Sequence, residues 1–166
     1  DDIQDADSNP VEKIEFTILK FKLKDKFVVV ATLRPETIFG QTNLWVNPNV
    51  LYWEAKVGEE IWILSEECIK KLKYQGKKLK IIGKTKENLI GKLVTAPMTN
   101  KELIILPSNF VDADIGTGIV VSVPSDAPYD YVALREIQDD KDIQKKYKLS
   151  LKQMEIIEDI EIIPII

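Results

Sequence analysis

Thr32, Arg34, Glu36 and Thr37 fall within one short segment, Ala31-Thr32-Leu33-Arg34-Pro35-Glu36-Thr37-Ile38-Phe39-Gly40, at the end of an apolar run. Two hydroxyls, a guanidinium and a carboxylate on one tight turn suit a pocket that orients a polar substrate. A second segment has the same character. Gly116-Thr117-Gly118-Ile119-Val120-Val121-Ser122-Val123-Pro124-Ser125-Asp126-Ala127-Pro128-Tyr129-Asp130 again carries an apolar run into hydroxyls and acids. Asp130 falls in the first turn of a predicted helix, where the backbone dipole favours an ionised carboxylate able to bind an ammonium group. Taken separately, each segment has a plainer explanation. Arg-Pro-Glu-Thr is ordinarily just a turn, Gly-X-Gly often marks a bulge, and Asp126 or Asp130 can simply cap the helix.

Much familiar chemistry is excluded. The chain contains no histidine, which removes the usual general base at neutral pH and the commonest metal ligand. Cys68 is the sole cysteine, so there is neither an internal disulfide nor a cysteine metal cluster. The Gly116–Gly118 element lacks the spacing of a dinucleotide or phosphate loop. Any catalysis must use carboxylates, hydroxyls, backbone amides or groups of the substrate itself.

The elements that must hold these residues are mostly strands. Alternation through Ile14, Phe16, Ile18, Phe21 and Leu23, a turn at Lys24-Asp25 and the apolar run from Phe27 to Leu33 predict a hairpin over 11–33 whose second strand is central in a sheet. Pro35 disfavours the α conformation at Arg34, so the strand stops there and one helical turn closed by Gly40 follows. Strands are predicted over 42–46, 60–64, 79–82, 92–95, 103–106 and 119–123. Ser65 caps a short helix over 66–73 with Ile69 and Leu72 inward. A second helix over 129–138 places Tyr131, Leu134 and Gln138 on one face. Residues 139–148 read as an exposed connection, and 161–166 as a strand closing the sheet.

At 166 residues and 45% apolar content, the chain suits one domain, residues 11–166, behind a flexible acidic tail over 1–10. The tail's Asp1, Asp2, Asp5 and Asp7 account for the net charge of −4; without them 23 acids face 23 bases. No run approaches the roughly 20 apolar residues of a membrane helix, and the acidic start is unlike a leader. A cytoplasmic protein is expected. Lys70, Lys71, Lys73, Lys77, Lys78, Lys80, Lys84 and Lys86 form a block without acids that can follow a phosphate backbone, although a solvated helix end and hairpin is the plainer reading.

Together, Thr32-Leu33-Arg34-Pro35-Glu36-Thr37 and Gly116-Thr117-Gly118 leading through Pro124 to Asp130 resemble the editing domain, or connective peptide 1, of class I aminoacyl-tRNA synthetases. The resemblance runs from about Ile14 to the end of the chain. Gly40-Gln41-Thr42-Asn43-Leu44-Trp45-Val46 and Ser122-Val123-Pro124-Ser125-Asp126-Ala127-Pro128 are similar to the eukaryotic cytosolic and archaeal leucine enzymes. Asp126 stands where bacterial leucine enzymes usually carry histidine, and Tyr129-Asp130 replaces two adjacent acids. The isoleucine and valine branches are the alternatives, as is a noncatalytic tRNA-binding module of the same fold.

The resemblance implies an α+β domain with a curved or closed β-barrel core and a few peripheral helices. Its implied activity is hydrolysis of mischarged tRNA(Leu), for example norvalyl- or isoleucyl-tRNA(Leu), with leucyl-tRNA(Leu) spared. Asp130, Thr32 and Thr37 would carry the reaction, Asp130 on the substrate's ammonium group and Thr37 as a steric gate. Leu33, Arg34, Ile115, Gly116, Thr117, Gly118, Val121, Val123, Ser125 and Asp126 would line the substrate. No metal or cofactor is implied for this domain, since ATP and magnesium belong to the full-length synthetase. The implied partners are the tRNA(Leu) 3′ end and the rest of the synthetase chain, with no membrane and a monomeric isolated domain.

Overall fold

The computed structural model describes residues 17–161 apart from 75, 77 and 124–127, with the side chains of residues 37, 128 and 129 also outside it. The expected tail over 1–10, the start of the first strand, residues 162–166 of the closing strand expected over 161–166, and Ser125 and Asp126 lie outside the described residues.

The hairpin forms as the alternation dictates. Strands β1 (Thr17–Leu23) and β2 (Lys26–Thr32) pair antiparallel, Phe21 opposite Val28, and Lys24 adopts φ 57° in the two-residue turn. β2 is apolar on both faces because both are covered. Val28 and Val30 join one core cluster and Val29 another. Next come β3 (Asn43–Val46), β4 (Tyr52–Val57) and β5 (Glu60–Ser65), then α1 (Glu66–Tyr74). After α1 follow β6 (Lys80–Lys84), β7 (Leu93–Thr95), β8 (Glu102–Pro107) and β9 (Ile119–Ser122). Helices α2 (Pro128–Asp139), α3 (Lys141–Lys146) and α4 (Leu151–Glu158) complete the described chain.

The nine described strands make one mixed sheet in the order β9-β3-β8-β7-β1-β2-β5-β4-β6. The sheet is α+β in setting but does not close into a barrel: β9 and β6 are its two edges. It curls strongly enough to lay β9 against β2, with Ile119 and Val121 in the same cluster as Val28, Val30 and Phe21. Short alternating strands suit an open curl and a closed barrel equally, so the pattern could not separate them. On the outer faces, α1 covers β2, β4 and β5 through Cys68 and Ile69, while α2 and α4 cover Trp45, Ile104 and Leu106 through Leu134, Ile137 and Ile157.

Three elements escaped the sequence reading. β4 was hidden because Glu54 interrupts its apolar side. That carboxylate is buried, held by Lys26 Nζ at 2.8 Å and Thr85 Oγ1 at 2.8 Å, and the bond from Glu54 raises the Lys26 pKa. The stretch expected as an exposed connection contains α3, capped by Asp140, whose Oδ1 accepts from Asp142 and Ile143. It is pinned by buried Gln144 Nε2 donating to Ile137 O at 2.8 Å. α4 carries a full capping box, Ser150 N to Gln153 Oε1 at 2.7 Å and Gln153 N to Ser150 Oγ at 3.1 Å, a signal visible as Ser-x-x-Gln. The inward face of α2 is Asp130, Leu134 and Ile137; Tyr131, expected to share a face with Leu134 and Gln138, is 42% exposed where Leu134 is buried.

Candidate active site

Pro35 has the predicted effect. Arg34 sits at φ −130°, ψ 70°, outside the helical region, and a 3₁₀ helix runs Pro35–Gly40. Thr32 Oγ1 accepts from Arg34 N at 3.1 Å, and Arg34 Nε donates to Glu36 Oε1 at 3.3 Å. Ile38 is buried and anchors the turn, while Leu33 and Phe39 face solvent. The segment is fixed again at its far end, where Thr42 N donates to Ser122 O at 3.0 Å and Thr42 Oγ1 lies 3.3 Å from Ser122 Oγ.

The glycine loop is fixed as tightly. Gly116 and Gly118 take φ 57° and 76°, left-handed values that suit glycine. A Cβ on Gly116 would lie 3.4 Å from that of Ala31, and one on Gly118 would lie 2.6 Å from Ser65 Cβ. Ser65 N donates to Thr117 O at 2.8 Å and Ser65 Oγ to Ala113 O at 2.8 Å, while the same Oγ caps α1 by accepting from Cys68 N. Tyr52 Oη donates to Gly118 O at 2.6 Å and accepts from Asn47 N at 2.9 Å; burial pushes its pKa up to about 12. Lys71 Nζ donates to Asp114 O. The loop therefore packs on the end of β2 at Gly116 and on the end of β5 at Thr117 and Gly118.

Asp130, the third residue of α2, is buried, and its Oδ2 accepts from Val123 N at 2.9 Å. That bond ties the first turn of α2 to the main chain just past β9. One residue earlier, at the end of β9, Ser122 binds Thr42. The threonine turn, β9 and Asp130 are thus joined by contacts at successive positions.

A family model described as "Leucyl-tRNA synthetase, editing domain" matches residues 9–159. The chain belongs to the leucyl-tRNA synthetase editing-domain family. It is 50% identical over 145 residues to the leucine–tRNA ligase of Methanothrix thermoacetophila, covering 80% of this chain and 15% of that protein. With the Staphylothermus marinus ligase it shares 48% over 171 residues, covering 99% and 18%. The chain therefore spans less than a fifth of these relatives. Among solved structures, GlLeuRS-CP1 superposes with a TM-score of 0.74 at 35% identity, covering 86% of this chain and 57% of that one. The Plasmodium falciparum cytosolic leucyl-tRNA synthetase editing domain gives 0.65 at 32%, covering 79% and 52%.

In this editing domain the predicted site residues form two groups on either side of β2. Val121 is buried on the inner face with Val28 and Val30, and Val123, also buried, continues its alternation. Ile115, Gly116 and Thr117 instead line a groove of about 420 Å³ with Ile18, Ala31 and Trp62 on the outer face. Gly116 packs on Ala31 at the end of β2, next to Thr32, between the two. Sequence reasoning missed Thr42, Tyr52, Lys71 and the second role of Ser65. Only the cap at Ser65 had a local signal; the other contacts join residues far apart in the chain. Of the lysine block, Lys70 pairs with Glu66 and Lys71 with Asp114. Lys80 and Lys84 stand exposed on edge strand β6, where charge discourages pairing with another sheet.

Proposed function

We propose that this editing domain hydrolyses the ester joining a noncognate amino acid to the 3′ end of tRNA(Leu). The observation that carries the reading is the buried Asp130 carboxylate of α2, bound to the main chain of Val123 just past β9, adjoining a threonine turn pinned to Ser122 at the end of that strand. An aminoacyl ester is activated by its own α-ammonium group, so the site need only hold that group, orient water and stabilise charge at the carbonyl. Asp130 takes the ammonium. Thr32 and nearby backbone groups position the ester and the water. Water oxygen attacks the carbonyl carbon, the ester C–O bond breaks, and the ribose oxygen leaves as a hydroxyl after taking a proton, releasing free amino acid and uncharged tRNA. None of these steps calls for histidine.

Selectivity must come from shape. One methylene is worth only about 1–3 kcal/mol in a single pocket, so a second site with a different size criterion multiplies discrimination. Thr37, on the rigid 3₁₀ helix, is assigned to exclude the branched γ carbon of leucine, with Val121 and Val123 beside the accepted side chains. Deacylation of norvalyl-, isoleucyl- and leucyl-tRNA(Leu) tests this. Asp130→Ala should abolish turnover with circular dichroism unchanged, and Thr37→Ala should open leucyl-tRNA(Leu) to hydrolysis. Unchanged turnover in the first variant, or continued protection of leucyl-tRNA(Leu) in the second, refutes the corresponding role.

A further inference from the structure

Large apolar side chains stand in solvent around the threonine turn. Phe39 is 67% exposed, Leu33 57% and Ile115 65%. Phe39 does not sit on a loose loop: its neighbours Ile38 and Gly40 are buried and the 3₁₀ helix ends on the Thr42–Ser122 bonds. The ring is therefore held outward by the packing of the residues on either side of it. Three residues per turn put Glu36 and Phe39 on one side of this helix, and Glu36 pairs with the guanidinium of Arg34, whose side chain is 58% exposed, on the same turn. Ile115 borders the turn from the opposite loop, since Gly116 packs on Ala31.

A fixed, solvent-facing phenyl ring with a guanidinium on the same turn is the combination by which proteins hold unpaired nucleotides, bases stacking on the ring and the cation meeting the phosphate. Resting on the reading of this domain as a deacylase of charged tRNA, the substrate must reach Asp130 as an unpaired strand. We propose that Phe39 is a substrate-binding residue that stacks on the base of the nucleotide preceding the terminal adenosine, with Arg34 against its phosphate. This extends recognition one nucleotide beyond the ester. It also explains why the turn carrying the size gate exposes an aromatic ring at all.

The test uses a short oligonucleotide matching the tRNA 3′ end with the fluorescent base 2-aminopurine at the penultimate position, together with deacylation by the full-length ligase. Stacking quenches the fluorophore, so the wild type and Phe39→Trp should quench it and Phe39→Ala should not. In the ligase, Phe39→Ala should raise KM for norvalyl-tRNA(Leu) by roughly 5- to 100-fold with kcat retained. Its turnover of norvalyl-adenosine, which lacks the preceding nucleotide, should match that of the wild type. Quenching that persists in Phe39→Ala, absence of quenching in the wild type, or equal losses on both substrates overturns the proposal. Failure of the deacylase reading is distinct, because it leaves quenching by the wild type without hydrolysis of either ester.

Discussion

Replacing Gly118 by alanine should damage this domain far more than replacing Gly116, although both glycines lie in the same loop with left-handed φ. The backbone conformation costs alanine about 1 kcal/mol more than glycine at either position. At Gly116 little else is lost, because the new methyl would meet Ala31 Cβ at 3.4 Å, near ordinary contact. At Gly118 it would meet Ser65 Cβ at 2.6 Å and Oγ at 2.9 Å, with Ala113 Cα at 3.3 Å behind. Ser65 cannot swing aside cheaply. Its N–H holds Thr117 O, its hydroxyl donates to Ala113 O, and the same oxygen caps α1. Losing the cap costs about 1 kcal/mol, and losing one further hydrogen bond costs about 1 more. The total is about 3 kcal/mol for Gly118→Ala against about 1 for Gly116→Ala. At about 2–4 °C per kcal/mol for a chain of this size, thermal unfolding followed by circular dichroism should show a drop of roughly 6–12 °C against roughly 2–4 °C. Equal drops would refute the assignment of Ser65 as the immovable partner.

Tyr52 predicts a pH dependence. Its folded pKa of about 12 lies above the ordinary 10.0, so the neutral phenol favours the folded state below pH 10 and that contribution is lost as pH rises towards 12. Tyr52→Phe should lower stability at pH 8 by about 1–3 kcal/mol, and urea midpoints of the two proteins should converge above pH 10; parallel profiles would count against it. Gln41 predicts the opposite sign. Its side chain is buried, and among the described residues neither Nε2 nor Oε1 has a hydrogen-bond partner. Gln41→Met should remove an unmet desolvation cost of about 1–3 kcal/mol and raise Tm by roughly 2–6 °C, whereas a fall in Tm would show that the amide is satisfied.

What could be read from the residues alone was whatever depends on near neighbours. Pro35 fixes the end of β2, Ser65 caps α1, and the alternation of Ile119, Val121 and Val123 places the buried face of β9. Two of the misses turn on a polar residue whose partner lies in another element, whereas α4 carried a local signal, Ser150-x-x-Gln153, that went unread. Glu54 makes β4 look like a loop until Lys26 and Thr85 arrive from other elements. Gln144 makes α3 look solvated until Ile137 O accepts from it. The open sheet was illegible for a related reason, since closure depends on how far nine strands curl together and no single strand encodes that angle.

The site shows the same division between local chemistry and long-range assembly. Thr32, Thr37 and Asp130 are proposed from their own segments because turn and helix-start chemistry is local. What holds them together is not. Ala31 meets Gly116, Thr42 binds Ser122, and Val123 N–H binds Asp130, each bridging distant or intervening segments. All three contacts involve main-chain atoms or a glycine, so many of the side chains around them can vary while the frame persists. Under the proposed function, a hydrolase relying on substrate-assisted chemistry depends on such a frame more than on a reactive side chain, because rate and discrimination both follow from where the weakly activated ester is held.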